Sequence, residues 1–180
     1  PYDLEEMNIY SNPTRFKLRN KVYHMNLIDV TNEPGRGNVT SLTGIYRPFL
    51  KEFLDFCFEY FNNVIIWSAG KRKYVEECCR LMFPIDSPSI IYSWDDCVNN
   101  SKGLFKPLSK LFDNKDYADL NITPQNTFHL DDRDDVYSLN PNNGVKIPEF
   151  YCSMDTCKIM GHKDEELLKL MCWLSQEKVK

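Results

Sequence analysis

Three short stretches of this sequence carry side chains that can bind a phosphoryl group together with a divalent cation. Ser68 follows the apolar run 64–67, and Asp131 and Asp132 follow a second apolar run. Lys106 lies between them, in a turn or at the start of a helix. A hydroxyl and an ammonium group bind phosphate oxygens, and carboxylate oxygens are the ligands that Mg²⁺ prefers.

These side chains can act together only if the fold brings them to one place. A short apolar run between turn residues is typical of a strand buried on both faces, as in a parallel sheet. Ligands of open α/β sheets bind outside the carboxyl ends of such strands. We therefore expect Ser68, Lys106, Asp131 and Asp132 to converge at one sheet edge, with the first two holding phosphate and the carboxylates holding Mg²⁺.

The rest of the chain alternates predicted strands with predicted helices. Strands are predicted over 22–31, 64–67, 89–94, 127–130 and 145–147, helices over 48–61, 71–82 and 164–178, and a short interrupted helix over 104–112. Residues 1–20 are predicted to be an irregular segment, and 32–45 to form turns around a short hairpin. This alternation favours an α/β fold, a three-layer sandwich with a parallel central sheet.

Composition limits the classes of protein that the sequence can encode. The 180 residues are expected to form one domain, 1–180. A net charge of −4 and a pI near 5.4 argue against direct binding to nucleic acid by phosphate neutralisation. No apolar run approaches the roughly 20 residues of a membrane span, so no membrane association is expected. Seven cysteines, an odd number, favour a reducing intracellular compartment, either cytoplasm or nucleus.

Two further features have open interpretations. Cys152, Cys157 and His162 come nearest to a metal cluster, but no fourth ligand is obvious. The C-terminal helix has a broad apolar face, which either packs on the protein's own sheet or assembles with a partner. Its apolar members are Leu167, Leu168, Met171, Cys172, Trp173 and Leu174.

Longer motifs surround the residues singled out above. They lie at 46–54, 64–69, 105–109, 130–136 and 140–145. In order and composition they resemble the haloacid-dehalogenase-like phosphatases. The resemblance is to their FCP/SCP-like, or NLI-interacting-factor-like, branch, which dephosphorylates the C-terminal domain of RNA polymerase II. The likeness covers about 45–150 and is most specific over 130–136.

This resemblance implies a haloacid-dehalogenase-like fold and Mg²⁺-dependent hydrolysis of phosphoserine or phosphothreonine in a phosphoprotein substrate. It assigns phosphate binding to Ser68 and Lys106, and metal binding to Asp131 and Asp132. The family also carries an Asp-x-Asp-x-Thr motif at the end of its first strand. There the first aspartate attacks phosphorus, and the second serves as general acid and then base.

The first motif is where this sequence departs from the family. Residues 24–31 read His-Met-Asn-Leu-Ile-Asp-Val-Thr and hold a single aspartate, Asp29. In one register Asp29 is the nucleophile and Thr31 replaces the acid. In a second, Asp29 is the acid and Leu27 replaces the nucleophile. In a third, Asn26 and Ile28 occupy the two aspartate positions.

No register preserves both aspartates, and acid–base assistance alone contributes roughly 10²–10⁴-fold in rate. If the protein is an enzyme, Asp29 is expected to be both nucleophile and metal ligand, with Thr31 beside it. The alternative, which the degenerate motif favours, is a catalytically inactive pseudo-phosphatase that binds a partner or builds an assembly. The asparagine, lysine, tyrosine and isoleucine usage is typical of AT-rich genomes, including those of some large DNA viruses, so a virion component is among the structural roles considered.

Overall fold

The structure is a computed structural model that describes residues 20–30, 35–83, 87–153, 158 and 161–176. The predicted irregular segment, 1–20, therefore lies outside the described residues except for Asn20. Contacts divide the chain into two compact units. The first comprises Pro1–Asn62, Glu77–Pro84 and Phe150–Lys180, and the second comprises Asn63–Glu76 and Ile85–Glu149.

The first unit contains an antiparallel hairpin. Strand β1 (Val22–Ile28) pairs with β2 (Val39–Ile45), and Ile28 lies opposite Val39. Because successive side chains of a strand point to opposite faces, β1 buries Met25 and Leu27 while Ile28 stays exposed. The strand predicted over 22–31 is thus confirmed up to Ile28. The segment 32–45, for which turns around a short hairpin were predicted, supplies only the second strand of the hairpin, and that strand pairs with β1.

Two helices complete the first unit. Helix α1 (Leu50–Tyr60) was expected to open at Pro48, but it begins two residues later. Phe49 has a left-handed φ of 62°, and a turn closed by the Leu50 N–H and the Arg47 carbonyl at 3.1 Å precedes the helix. A left-handed residue cannot belong to a right-handed helix, so α1 starts after it.

The C-terminal helix, written α4 (Glu166–Leu174), packs against α1. It buries Leu167, Leu170 and Leu174, and the Tyr60 hydroxyl donates to the Leu174 carbonyl at 3.0 Å. Leu168 and Trp173 remain 38% and 42% exposed. In the part of the chain that the structure describes, no helix has the length and apolar character needed to cross a bilayer.

The second unit holds two parallel strand pairs and one further hairpin. The parallel pairs are β3 (Ile65–Trp67) with β4 (Ile90–Tyr92), and β7 (His129–Asp131) with β8 (Gly144–Lys146). The hairpin joins β5 (Val98–Asn100) to β6 (Gly103–Phe105), and the short helix α3 spans Ser109–Phe112. Helix α2 (Arg72–Met82) starts in this unit and continues into the first at Glu77.

The interrupted helix predicted over 104–112 is only partly correct. Residues 103–105 form β6, since Leu104 pairs with Asn99 in the hairpin, and the helix starts only at Ser109. Pro107 separates the two elements, because proline has no N–H and disfavours a helical conformation in the residue before it. The predicted interruption is therefore correct, but the residues before it form a strand and not a first helical turn.

The mixed α/β class is confirmed by these elements. Among the described residues the strands form four two-stranded ladders, two of them parallel, and one continuous parallel sheet is not seen. The second unit has its own core of Ile90, Tyr92, Leu108 and Leu111, all less than 9% exposed. This core supports the strand ends on which the candidate site is built.

Candidate active site

A buried ion pair between Lys106 and Asp131 is the centre of the candidate site. Lys106 Nζ lies 2.5 Å from Asp131 Oδ2, and the two side chains are only 8% and 10% exposed. Lys106 follows β6, and its own N–H donates to the Val136 carbonyl at 2.8 Å. Asp131 ends β7, and its carbonyl accepts from the Ile147 N–H at 3.0 Å. Backbone hydrogen bonds therefore fix both partners in place.

Three donors surround the Asp131 carboxylate. Besides Lys106, His129 Nε2 lies 3.4 Å from Oδ2, and the Arg133 N–H donates to Oδ1 at 3.0 Å. Burial acts to raise the pKa of Asp131, but the contacts from His129, Lys106 and the Arg133 amide outweigh it. The pKa of Asp131 consequently lies well below its usual range, and the group is a carboxylate at neutral pH.

His129 is a member of this cluster that the sequence analysis missed. Side chains two residues apart on a strand point to the same face, so the His-Leu-Asp order of β7 already placed His129 beside Asp131. The histidine was passed over because it has no metal-ligand spacing. Its side chain is 9% exposed, and its ring stacks on Trp67 of β3, with 6.4 Å between ring centroids and 10° between ring planes.

Ser68 stands at the carboxyl end of β3, one residue after Trp67. Its N–H donates to the Tyr92 carbonyl at 3.0 Å, which extends the parallel ladder, and its Oγ accepts from the Gly70 N–H at 3.0 Å. Gly70 is required at that place, since an added Cβ would lie 2.7 Å from the Tyr74 ring. Because Oγ accepts here, the hydroxyl proton of Ser68 can be donated to a phosphate oxygen.

The structure thus brings Lys106 to Asp131, and the ring of Trp67, the residue before Ser68, stacks on the ring of His129 from the strand that carries Asp131. Asp132 is exposed and forms no ion pair with any described residue. The next two aspartates along the chain, Asp134 and Asp135, are also exposed, and they pair with Lys146 and Arg133 at 2.8 and 2.6 Å. Arg133 therefore pairs with an aspartate of its own turn.

Asp29 belongs to the first unit and stabilises the hairpin loop after β1. It has a left-handed φ of 53°. Its Oδ2 accepts from the Gly35 N–H and its Oδ1 from the Asn38 N–H, both at 2.9 Å. Such a turn role is typical of aspartate. Thr31, its expected companion, lies outside the described residues.

The other positions in the alternative registers of the first motif are also accounted for. Leu27 is 5% exposed, which fits a core residue of the hairpin. Asn26 is exposed, and its Oδ1 accepts from the Ser41 hydroxyl at 2.7 Å across the ladder. Both side chains therefore have structural roles in the first unit.

The donor set at the end of β7 fits Mg²⁺. Asp131 and Asp132 supply carboxylate oxygens, and Mg²⁺ is usually held by one or two carboxylates together with waters and substrate phosphate. Among the described residues Asp131 Oδ1 accepts one hydrogen bond, from the Arg133 N–H, which leaves it a lone pair for a cation. Within the described ranges, no three His, Cys, Asp or Glu side chains gather as a ready metal cage. Of the cluster considered at 152–162, Cys157 lies outside those ranges.

The fold and this cluster describe a mixed α/β protein with a buried cation–carboxylate pair at the end of a parallel strand. Comparison with known proteins identifies the family. Residues 2–178 match the NLI interacting factor-like phosphatase family, and the chain belongs to that family. The resemblance inferred from the motifs at 46–145 is therefore confirmed.

Several curated relatives are named "Ubiquitin-like domain-containing CTD phosphatase 1". The chain is 29% identical to the Danio rerio protein over 141 residues, which is 73% of this chain and 42% of that protein. It is 28% identical to the Homo sapiens protein over 145 residues, with the same coverage. Identity to the Drosophila melanogaster protein is 30% over 160 residues, 82% of this chain and 46% of that protein. The chain thus spans less than half the length of these relatives.

Proposed function

We propose that this chain is a phosphatase domain that hydrolyses phosphoserine or phosphothreonine in a protein substrate. The observation that carries the proposal is the buried ion pair of Lys106 and Asp131. A buried pair without a function is often no more stabilising than apolar residues of similar volume. In a chain of this family, at the end of a parallel strand, its position supports a role in holding a phosphoryl group.

Each residue of the second unit has a proposed task. The Ser68 hydroxyl and the Lys106 ammonium group hold oxygens of the phosphoryl group. The hydroxyl dipole and the positive charge of the ammonium group stabilise the negative charge on these oxygens during transfer. Asp131 and Asp132 hold Mg²⁺, which, when bound, neutralises charge on the phosphoryl oxygens. We further propose that the two parallel ladders are part of a haloacid-dehalogenase-like sandwich, as is usual for such sites.

For the attacking group we retain Asp29, the one aspartate in 24–31. A carboxylate oxygen attacks phosphorus, the bond to the serine or threonine oxygen breaks, and water later hydrolyses the aspartyl phosphate. The Gly35 and Asn38 amides occupy two of the roughly four acceptor positions of a carboxylate. Both amides stabilise the negative charge, so Asp29 is a weakened nucleophile and turnover should be slow. Thr31 is the proposed residue at the acid–base position.

The test is hydrolysis of a phosphoserine peptide and of a small aryl phosphate in the presence of Mg²⁺. We compare wild type with Lys106→Met, Asp131→Asn and Asp29→Asn. Asp134→Asn is the matched control, because Asp134 is exposed and, among the described residues, forms its ion pair with Lys146 at the surface. Circular dichroism establishes that each variant is folded.

We expect Lys106→Met to lower kcat by roughly 10²–10³-fold, as is typical when one preorganised donor is removed. Asp131→Asn and Asp29→Asn should also abolish most activity, whereas Asp134→Asn should not. Activity that survives Asp29→Asn would show that another group attacks phosphorus. Activity that survives both Lys106→Met and Asp131→Asn would reject the proposed site.

The second candidate is a pseudo-phosphatase that binds a phosphoprotein or another protein without turnover. The hydrogen bonds of Asp29 favour this candidate. Both of its carboxylate oxygens accept from the hairpin loop, which is a structural role that needs no catalysis. Leu168 and Trp173, exposed on α4, are the surface that this candidate offers for assembly with a partner. Equal background rates for wild type and Asp29→Asn, with phosphopeptide binding that is lost in Lys106→Met, would support it over the enzyme.

A further inference from the structure

We propose that His129 is a positioning residue that orients the Asp131 carboxylate for a divalent cation. The proposal rests on the cation-binding role given to Asp131 in the proposed function. His129 itself touches neither the cation nor the phosphoryl group. Its effect passes through Asp131, whose Oδ2 lies 3.4 Å from Nε2. This polar contact is longer than the roughly 2.7–3.2 Å of an ordinary N–H···O hydrogen bond.

The ring of His129 is held firmly enough to position another group. Trp67 lies parallel to it, with 6.4 Å between centroids and 10° between planes, and Tyr137 presents an edge at 5.7 Å. An added Cβ on Gly144, which pairs with His129 across the ladder, would lie 2.1 Å from the Tyr137 ring. The ring of His129 therefore has aromatic neighbours on two sides, which limit its movement.

The polar contacts of the ring define what the histidine contributes. Nδ1 is buried and has no hydrogen-bond partner among the described residues, so Asp131 is the one polar group that the ring contacts there. Nε2 is the ring nitrogen that faces the carboxylate. A buried polar atom without a hydrogen-bond partner is destabilising. A leucine or methionine would fill the same place without that cost, so the contact to Asp131 is what distinguishes histidine there.

Lys106 by itself cannot fix the plane of the carboxylate. Its ammonium group is a compact charge on a flexible stem and accepts a range of carboxylate orientations. His129 adds a second polar contact at Oδ2 from a ring packed between aromatic side chains, while the Arg133 N–H holds Oδ1. Together these contacts determine the direction in which the remaining lone pairs point. Residues that hydrogen-bond a metal ligand commonly change metal affinity or activity by about 10–100-fold when they are replaced.

The experiment measures Mn²⁺ binding, with free Mn²⁺ followed by electron paramagnetic resonance, so that it does not depend on turnover. His129→Leu removes the donor and keeps an apolar side chain, whereas His129→Gln keeps an N–H donor on a side chain of comparable reach. His24→Leu is the matched control, since His24 lies in the hairpin of the first unit and its Nδ1 contacts Thr43. Phosphatase activity is measured in parallel as a function of Mg²⁺ concentration.

We expect His129→Leu to raise the Mn²⁺ dissociation constant, and the Mg²⁺ concentration for half-maximal activity, by about 10-fold or more. His129→Gln should recover most of this loss, and His24→Leu should bind like wild type. Unchanged Mn²⁺ affinity in His129→Leu, no recovery in His129→Gln, or no Mn²⁺ binding by wild type would each overturn the proposal. If Mn²⁺ affinity falls as expected while no variant hydrolyses phosphate, the proposed activity fails and the positioning role stands.

Discussion

Lys106 and Asp131, 25 residues apart in the chain, form an ion pair of 2.5 Å whose side chains are about nine-tenths buried. When one partner is removed, burial limits the access of water to the charge that remains on the other. The pair is therefore expected to be more sensitive to single substitutions than to the simultaneous replacement of both residues. This asymmetry separates it from the exposed ion pairs of the same protein.

Lys106→Met should lower the free energy of unfolding by about 3–5 kcal/mol, because it leaves the Asp131 carboxylate buried without its principal cation. The double variant Lys106→Met/Asp131→Asn should lose less than Lys106→Met alone, since no uncompensated charge remains. Urea unfolding of the wild type, Lys106→Met, Asp131→Asn and the double variant completes a double-mutant cycle. Losses that simply add in the double variant would contradict a buried, coupled pair.

The depressed pKa of Asp131 predicts a loss of stability in acid. In the folded protein the pKa of Asp131 lies below that of the unfolded chain, which is about 3.9. The stabilisation is complete above that pH and is lost as the pH falls below it. The stability difference between wild type and Asp131→Asn, measured by urea unfolding, should therefore shrink from pH 6 to pH 2.5. A difference that stays constant would exclude this linkage.

Arg47 and Asp164 should contribute to the stability of the first unit. Arg47 binds Asp164 through two parallel hydrogen bonds of 3.0 Å, and the side chains are 12% and 11% exposed. Asp164→Ala should cost about 3 kcal/mol in the free energy of unfolding. The control is Asp55→Ala, which breaks the exposed Lys51–Asp55 pair and should cost far less, because solvent screens exposed charges. Similar losses in the two variants would show that burial does not matter here.

Gly144→Ala should disturb the aromatic packing around β7. An added Cβ would lie 2.1 Å from the Tyr137 ring, so the ring must move and its edge contact with His129 is lost. We expect destabilisation of about 1–3 kcal/mol, the range typical of overpacking. Gly161→Ala is the control, because a Cβ there meets no described atom within 4 Å. Thermal unfolding of both variants measures the difference, and equal melting temperatures would contradict the predicted clash.

Cys57 and Cys172 should differ in reactivity towards iodoacetamide. Burial raises the pKa of the Cys57 thiol to about 12, so very little thiolate exists at pH 8. Cys172 is exposed on α4. Peptide mapping by mass spectrometry should find Cys172 alkylated in the native protein and Cys57 alkylated only after unfolding in urea. Equal modification rates without urea would show that Cys57 is accessible.

Much of the local structure could be predicted because it depends on local patterns. The apolar run 64–67 predicted β3, and the spacing of apolar residues predicted α2 and α4. The helix predicted over 104–112 was wrong for 104 and 105, which belong to β6, because Pro107 separates this strand from the helix that follows. The start of α1 was also placed too early, because the left-handed conformation of Phe49 depends on the turn that precedes the helix.

The candidate site could be predicted from the same kind of pattern only in part. Residue types and spacing identified Ser68, Lys106, Asp131 and Asp132, and the family to which they point is confirmed. His129 was missed, although the two-residue period of a strand already placed it beside Asp131. The loop contacts of Asp29 could not be foreseen, since both donors are backbone amides, of Gly35 and Asn38, and depend on the shape of the loop.

The order of residues alone predicts the family, most strands and helices, and the residue types available for phosphate and cation binding. These follow from local periodicity and from motifs within a few residues of one another. Which charges are buried together depends instead on how the chain folds. Lys106 meets Asp131 because the backbone after β6 is hydrogen-bonded to Val136, and His129 joins them because Trp67 and Tyr137 confine its ring. Such contacts depend on packing between segments that are distant in the chain, and no local pattern encodes their geometry.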